Sequence, residues 1–185
     1  MADTKRMIHD AYGLFHLQRE GSGGDPVSGR IYGMAKAVWA GKVMAAVENQ
    51  PKPLGDLILM CYAPMWEARS LETVTRCLWG QFIRTAGEDI KQDRTYRKAR
   101  ALAEVAVFNY QAQARGGPFT VETICHMAGI DRSHWYKPER HWRRWFETMG
   151  RILYRWEHEG MRNPDSVCEE IVSLRQIERE KMAAS

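Results

Sequence analysis

The sequence is poor in cysteine: it has four in 185 residues, and none belongs to a C-x-x-C pair. A disulfide framework needs a denser and more regular set of cysteines, and a zinc knuckle uses C-x-x-C pairs. The sequence therefore indicates neither a disulfide framework nor a zinc knuckle. The four thiols are expected to be reduced and buried in a core. They are Cys61, Cys77, Cys125 and Cys168.

Long apolar runs are missing as well. The first twenty residues include Lys5, Arg6, Asp10 and His16, so they do not form the apolar centre of a secretory signal. No uninterrupted apolar stretch approaches the roughly 20 residues that a membrane span requires. The chain is therefore expected to be cytoplasmic and to have no membrane partner.

Sequence signatures of catalysis are also lacking. The chain contains no G-x-S-x-G, no P-loop and no dinucleotide-binding glycine pattern. His9 and His16 are seven residues apart, whereas two metal ligands on one helix need a spacing of three or four. The sequence therefore predicts a protein that is not an enzyme and that holds no metal and no cofactor.

Alternating runs of β-branched residues are absent, and apolar residues recur instead at spacings of three and four. With 44% hydrophobic residues, the chain can bury a real core. The pattern favours an all-α, compact multi-helix bundle. Segment 54–62 is short and strongly apolar, and is interpreted as a helix rather than as a strand. The longer predicted helices cover residues 3–19, 30–48, 54–62, 71–85, 95–114, 138–159 and 165–182.

Glycine and proline mark the expected breaks between these helices. Residues 21–26 read Gly-Ser-Gly-Gly-Asp-Pro and are expected to form a flexible connection. Pro138 fits the first turn of the long helix that continues towards Glu159. The other expected stops are Gly87, residues 116–118, and the group Gly160, Asn163 and Pro164.

Positive charge is concentrated in one part of the chain. The formal net charge is zero over residues 1–89, +5 over 90–160 and −1 over 161–185, which gives the total of +4. A local excess of lysine and arginine indicates a polyanionic partner, while a solvated helix face is the alternative explanation. We therefore divide the chain into an N-terminal helical region, 1–90, and a region that holds the basic segment, 91–185.

Residues 120–137 carry the pattern of a helix-turn-helix. Thr120 is expected to cap the first short helix, and Asp131 the second. Gly129 suits the turn, because a residue without a Cβ adopts a left-handed backbone cheaply. The apolar side chains of the segment are expected to face the core, and they are Ile124, Cys125, Ala128, Ile130 and Trp135.

The start of the second short helix is the candidate DNA-contacting surface, because such a helix enters the major groove by its N-terminal part. Arg132 is the best candidate for a base contact, through bidentate hydrogen bonds to guanine. The other candidates are expected to fix the register on phosphates, and they are Ser133, His134, Tyr136 and Lys137. Pro138 limits how far this helix can continue.

The segment after Pro138 adds an arginine face. Its arginines recur at spacings of 4, 7, 4 and 7, which keeps them near one side of a helix, and they are Arg140, Arg144, Arg151, Arg155 and Arg162. Tryptophans and aliphatic residues occupy another side, which is expected to be core. The arginine side could follow a phosphate backbone or meet an acidic protein surface. Arg140 and Arg144 are included in the candidate DNA interface, with Arg151 and Arg155 as a possible extension.

The chain has a neutral N-terminal half, then the helix-turn-helix motif, then an arginine- and tryptophan-rich helix. This order resembles that of the prophage-type Q-like (AlpA-like) transcription antitermination factors. Gly129, Ile130, Arg132, Ser133 and Trp135 are the most specific points of likeness. The resemblance implies a protein that binds double-stranded DNA beside a promoter, engages RNA polymerase and promotes terminator read-through. It also implies that residues 1–90 could contact the polymerase. Lambdoid members carry a cysteine-rich zinc element that this chain lacks, so no metal site is carried over.

Three other functions fit the same residues. The chain could be a promoter-binding repressor or activator, for which the last predicted helix would provide a dimer contact. It could be a phage DNA-packaging or assembly protein that uses the motif without acting on transcription. It could also be a helical interaction protein with no nucleic-acid role. The sequence leaves the oligomeric state open.

Overall fold

The computed structural model describes residues 3–19, 28–86, 90 and 92–183, and this part of the chain contains helices and no strand. The all-α fold class is therefore confirmed. The flexible connection expected at residues 21–26 and the stop expected at Gly87 lie outside the described residues. The eight described α-helices are α1 (Thr4–Arg19), α2 (Ser28–Glu48), α3 (Leu54–Tyr62), α4 (Ala68–Ala86), α5 (Asp93–Ala114), α6 (Val121–Met127), α7 (Arg132–Trp135) and α8 (Trp142–Ala183).

Helix α8 is the scaffold of the bundle. Its 42 residues span about 63 Å at 1.5 Å per residue. Helices α1 to α5 pack against it, and α7 contacts its first turns. One buried cluster draws residues from both 1–90 and 91–185, and the division at residue 90 stays a prediction. The apolar face expected after Pro138 is buried as expected, through Trp142, Trp145, Met149, Ile152, Leu153 and Trp156.

Helix α8 begins later than the sequence suggests. Pro138 starts a single 3-10 turn, Pro138–Arg140, and His141 then takes a left-handed backbone with φ 59°. The expectation that Pro138 opens the long helix is therefore wrong. The left-handed residue turns the chain so that α7 folds back onto the start of α8, where the Trp135 and Phe146 ring centroids are 5.6 Å apart.

Helix α8 also ends later than expected, since it continues through Pro164 without a break. A proline inside a helix removes one hydrogen bond and usually bends or breaks it. Here packing on both sides of Pro164 supports continuity. Asn163 Nδ2 donates to the Ala46 carbonyl at 3.3 Å, and Lys42 Nζ donates to Glu170 Oε1 at 3.3 Å, so α2 contacts α8 before and after the proline. The stop expected at residues 160–164 and the separate helix over 165–182 are therefore wrong.

Close packing fixes the middle of α8 against α3. Gly160 is buried, and a Cβ added there would lie 3.2 Å from Ile58 Cγ1 and 3.3 Å from Leu54 Cβ. Both distances are tighter than ordinary van der Waals contacts between carbon atoms. A side chain at this position would therefore crowd α3, and Gly160 does not act as the helix stop that the sequence suggested.

A half-buried carboxylate, Glu157, joins four helices. Its side chain is 16% exposed. Tyr62 of α3 and Tyr110 of α5 both donate their hydroxyls to it, with Tyr110 at 2.5 Å, and Lys5 Nζ of α1 lies 3.2 Å away. Arg115 adds a second link by donating to the carbonyls of Met60 and Ala63, each at 2.9 Å. These contacts fix α1, α3 and α5 around the centre of α8.

The same contacts shift the pKa values of the groups involved. Burial of Glu157 acts to raise its pKa, but the hydrogen bonds from Tyr110, Tyr62 and Lys5 together outweigh burial, and the pKa is lower than that of an ordinary glutamate. Burial and the bond to Glu157 raise the pKa of both tyrosine hydroxyls. The tyrosines are therefore protonated donors to an ionised carboxylate at neutral pH.

The cysteines follow the expectation with one exception. Cys61, Cys125 and Cys168 are buried and free, whereas Cys77 is only half-buried. Burial raises the pKa of Cys61 to about 12 and that of Cys168 to about 11. Within the described residues, no helix is both long and apolar enough to cross a membrane.

Candidate nucleic-acid interface

Helices α6 and α7 are short and both have a side-chain cap. The Thr123 N–H donates to Thr120 Oγ1 at 3.2 Å, and the Ser133 N–H donates to Asp131 Oδ1 at 2.7 Å. Both caps were expected from the sequence, because threonine and aspartate satisfy the unpaired N–H groups at a helix start. The bonds from the Ser133 side chain and backbone lower the pKa of Asp131.

The turn between the two helices has the expected left-handed glycine, with φ 63° at Gly129. The Ile130 N–H donates to the Cys125 carbonyl at 2.9 Å, and the Gly129 N–H donates to the His126 carbonyl at 3.2 Å. This pair of bonds forms a Schellman motif, which satisfies the last carbonyls of α6. The side chains expected to face the core are all buried, and they are Ile124, Cys125, Ala128, Ile130 and Trp135.

Helix α7 has only four residues, so it presents a single turn. Arg132 and Ser133 are exposed on it, and His134 is half-buried. Arg132 Nη1 lies 4.0 Å from Glu122 Oε2, and both side chains are mostly exposed. Such a long, exposed ion pair contributes little, so it leaves Arg132 available for another partner.

A groove of about 280 Å³ separates the end of α7 from the start of α8. Three lysine or arginine side chains and one carboxylate line it, so its local charge is positive. The carboxylate is Glu147, whose Oε1 accepts from Arg143 Nε at 2.8 Å. The lining residues are Trp135, Tyr136, Lys137, Pro138, His141, Arg143, Arg144 and Glu147. The fold thus brings three predicted site residues, Tyr136, Lys137 and Arg144, into one groove.

The arginine face is present on α8, with one correction. Arg144, Arg151, Arg155 and Arg162 are exposed and keep the helical spacing that places them on one side. Arg140 is exposed but lies in the 3-10 turn, which the left-handed His141 separates from α8. It therefore sits beside this face and does not belong to it. Within the described part of the chain, none of these five arginines forms an ion pair.

Sequence reasoning missed some groove residues. Arg143 was overlooked because it lies off the four-and-seven spacing of the other arginines, although its position four residues before Glu147 is a recognisable helical ion pair. Asn109 and Gln113 of α5 line a neighbouring groove, and nothing in the sequence brings them near α8. Among the described residues, no group of three or more His, Cys, Asp or Glu side chains is arranged to hold a metal.

Comparisons with protein-family models, with curated proteins and with solved structures found no match to this chain. Functional inference therefore depends on the arrangement of the side chains described above and on the resemblance of residues 120–137 to the helix-turn-helix.

Proposed function

We propose that this chain is a DNA-binding transcription regulator of the antitermination type. It would bind a promoter-proximal DNA element, load onto RNA polymerase and promote terminator read-through. The observation that carries the proposal is the exposed cationic surface shared by α7, the 3-10 turn and the start of α8. Its cations, Lys137, Arg140 and Arg144, have no carboxylate partner within the described residues.

The short α7 makes the proposed DNA surface composite. One helical turn can place Arg132 at base edges and Ser133 beside a phosphate, but it is too short to follow the groove further. Lys137, Arg140 and Arg144 then supply phosphate contacts from outside α7. Phosphate contacts fix orientation and supply affinity, while the base contacts of Arg132 supply specificity.

The polymerase part of the proposal rests on the resemblance to Q-like antitermination factors. On that basis residues 1–90 are assigned to the polymerase contact, because the cationic surface belongs to the other half of the chain. DNA binding and terminator read-through are separable steps, so each is tested by itself.

The DNA step is tested by selecting ligands from a random duplex library and measuring their binding by fluorescence anisotropy at 50 and 200 mM salt. If Lys137, Arg140 and Arg144 neutralise three phosphates, log K falls with log salt with a slope of about −2.7, or about 40-fold over that range. Replacing both Lys137 and Arg144 by glutamine should reduce the slope by about 2. Arg69→Gln, at an exposed arginine of α4, is the matched control. Salt-insensitive binding, or an equal effect of the control, would contradict the assignment.

The transcription step is tested in vitro on a template with a promoter, the selected element and a downstream terminator. Read-through that requires both the protein and the element is expected. Reduced initiation without read-through would instead identify a promoter-binding repressor and refute the antitermination role. The double variant of Lys137 and Arg144 should lose the effect, while Arg69→Gln keeps it.

A further inference from the structure

A second groove lies directly beside the cationic one, between α5 and α8. Its volume is about 570 Å³, and Glu147 lines both grooves, so the two are adjacent. Its lining includes the apolar side chains of Ala106 and Phe146, the polar ones of Asn109, Gln113, Arg151 and Tyr154, and the Glu147 carboxylate, which is paired with Arg143. The predicted DNA surface did not include Tyr154 or the two amides.

Each of the two grooves combines an exposed tyrosine with arginine. Tyr154 is 67% exposed and Tyr136 is 59% exposed, and each lines one of the two grooves. Arg151 uses one nitrogen, Nη2, to donate to Thr148 Oγ1 at 3.0 Å, which leaves most of its donors for a ligand. A tyrosine ring that is exposed in a groove offers a flat face on which a base can stack.

We propose that the two grooves together bind a segment of single-stranded nucleic acid, with Tyr136 and Tyr154 as stacking platforms and Arg144 and Arg151 on the phosphates. Unpaired bases present their faces to aromatic rings, whereas the bases of a duplex are stacked on one another. The side-chain amides of Asn109 and Gln113 can donate to and accept from base edges. This site goes beyond duplex recognition by α7.

The length and the end of the site follow from the geometry. Arg144 and Tyr154 are ten residues apart on α8, or about 15 Å, so the α8 part of the site can contact only a few nucleotides. A third groove also touches Tyr154, and it is lined by the three carboxylates of Asp3, Glu157 and Asp165 and by one lysine, Lys5, which pairs with Glu157. Like charge repels phosphates there, so the strand is expected to leave the surface at Tyr154.

The test measures anisotropy of fluorescein-labelled eight-nucleotide oligo(U) and oligo(dT), with a selected duplex measured in parallel. Tyr154→Leu should weaken single-strand binding about 5- to 150-fold, the usual effect of losing one stacked base. Tyr154→Phe should retain the wild-type affinity, because the ring is kept. Neither variant should alter duplex binding. Circular dichroism checks that each variant keeps its helices.

Arg151→Gln should weaken single-strand binding and reduce its salt dependence, while Arg69→Gln should not. Binding of either oligonucleotide supports the site, and the ratio of the two affinities distinguishes an RNA strand from melted DNA. Single-strand binding that Tyr154→Leu leaves unchanged would overturn the proposal. Equal competition by polyglutamate would do so too, since it would assign the grooves to an acidic protein segment.

Failure of this inference is distinguishable from failure of the proposed function. A chain that binds its selected duplex but neither oligonucleotide overturns the single-strand site and leaves duplex recognition standing. A chain that binds the oligonucleotides in a Tyr154-dependent way but selects no duplex supports this site and refutes duplex recognition.

Discussion

Replacing Glu157 by glutamine should destabilise the bundle at its centre. The substitution keeps the size of the side chain and removes its charge. Two tyrosine hydroxyls donate to this carboxylate, and Lys5 Nζ lies 3.2 Å from it. The variant therefore tests whether the charge of Glu157, rather than its shape, joins α1, α3 and α5 to α8.

The magnitude follows from the three contacts. A hydrogen bond to a charged group contributes about 1.5–3 kcal/mol and one between neutral groups about 0.5–1.5 kcal/mol, so each tyrosine bond should lose about 1 kcal/mol. The Lys5 side chain is 57% exposed, which limits its ion pair to less than about 1 kcal/mol. The free energy of unfolding should therefore fall by about 2–3 kcal/mol at pH 7.

Urea unfolding, monitored by circular dichroism, measures this difference in unfolding free energy. Repeating the measurement at lower pH shows whether the charge of Glu157 is responsible for it. The pKa of Glu157 in the folded chain is lower than its ordinary value of 4.5. The charge therefore contributes stability that is fully present above the ordinary value and is lost as the pH falls through the folded value. The difference in unfolding free energy between wild type and Glu157→Gln should be constant from pH 7 to 6 and should disappear in acid.

Glu159→Gln is the control, because Glu159 is exposed two residues further along α8. It should change the unfolding free energy by less than about 0.5 kcal/mol. Equal stability of wild type and Glu157→Gln at pH 7 would refute the reasoning. A gap that stays the same size down to acid pH would also refute it, because shape and not charge would then be responsible.

Three further predictions concern packing, capping and DNA contact. Gly160→Val should lower the unfolding free energy by about 1–3 kcal/mol, because the new side chain crowds α3. Gly150→Ala is the control and should be neutral or slightly stabilising, because a Cβ at that position meets nothing within 4 Å. Similar losses of stability in the two variants would contradict the packing of Gly160 against α3. Asp131→Ala should lower the unfolding free energy by about 1 kcal/mol, because α7 loses its cap, and urea unfolding measures the change. Glu139→Ala, at an exposed residue, is the control and should leave the unfolding free energy unchanged. Arg132→Ala should weaken binding to the selected duplex by about 1–3 kcal/mol and relax its sequence preference; an unchanged affinity would remove Arg132 from the base-contacting set.

Contacts local in sequence made part of this structure predictable. The caps at Thr120 and Asp131 and the left-handed turn at Gly129 each depend on residues at most five positions apart, and all were predicted correctly. The apolar periodicity of α3, α4 and α5 likewise placed those helices within a few residues of their observed bounds. Helix hydrogen bonds join residues four apart, so their signals lie within a short stretch of sequence.

Tertiary structure alone decided the path of α8 and the composition of the grooves. Pro164 is a helix breaker by local rules, yet α8 continues through it, with Pro164 itself buried and core residues on both sides, Met161 and Cys168. Glu157 meets Tyr62 across 95 residues and Tyr110 across 47, and no periodicity encodes such a meeting. The sequence by itself determined the helical fold class, the capped starts of α6 and α7 and where positive charge accumulates. The packing of α5 and α7 on α8 determined which of those charges share a groove, because long-range contacts depend on how the helices fill one core.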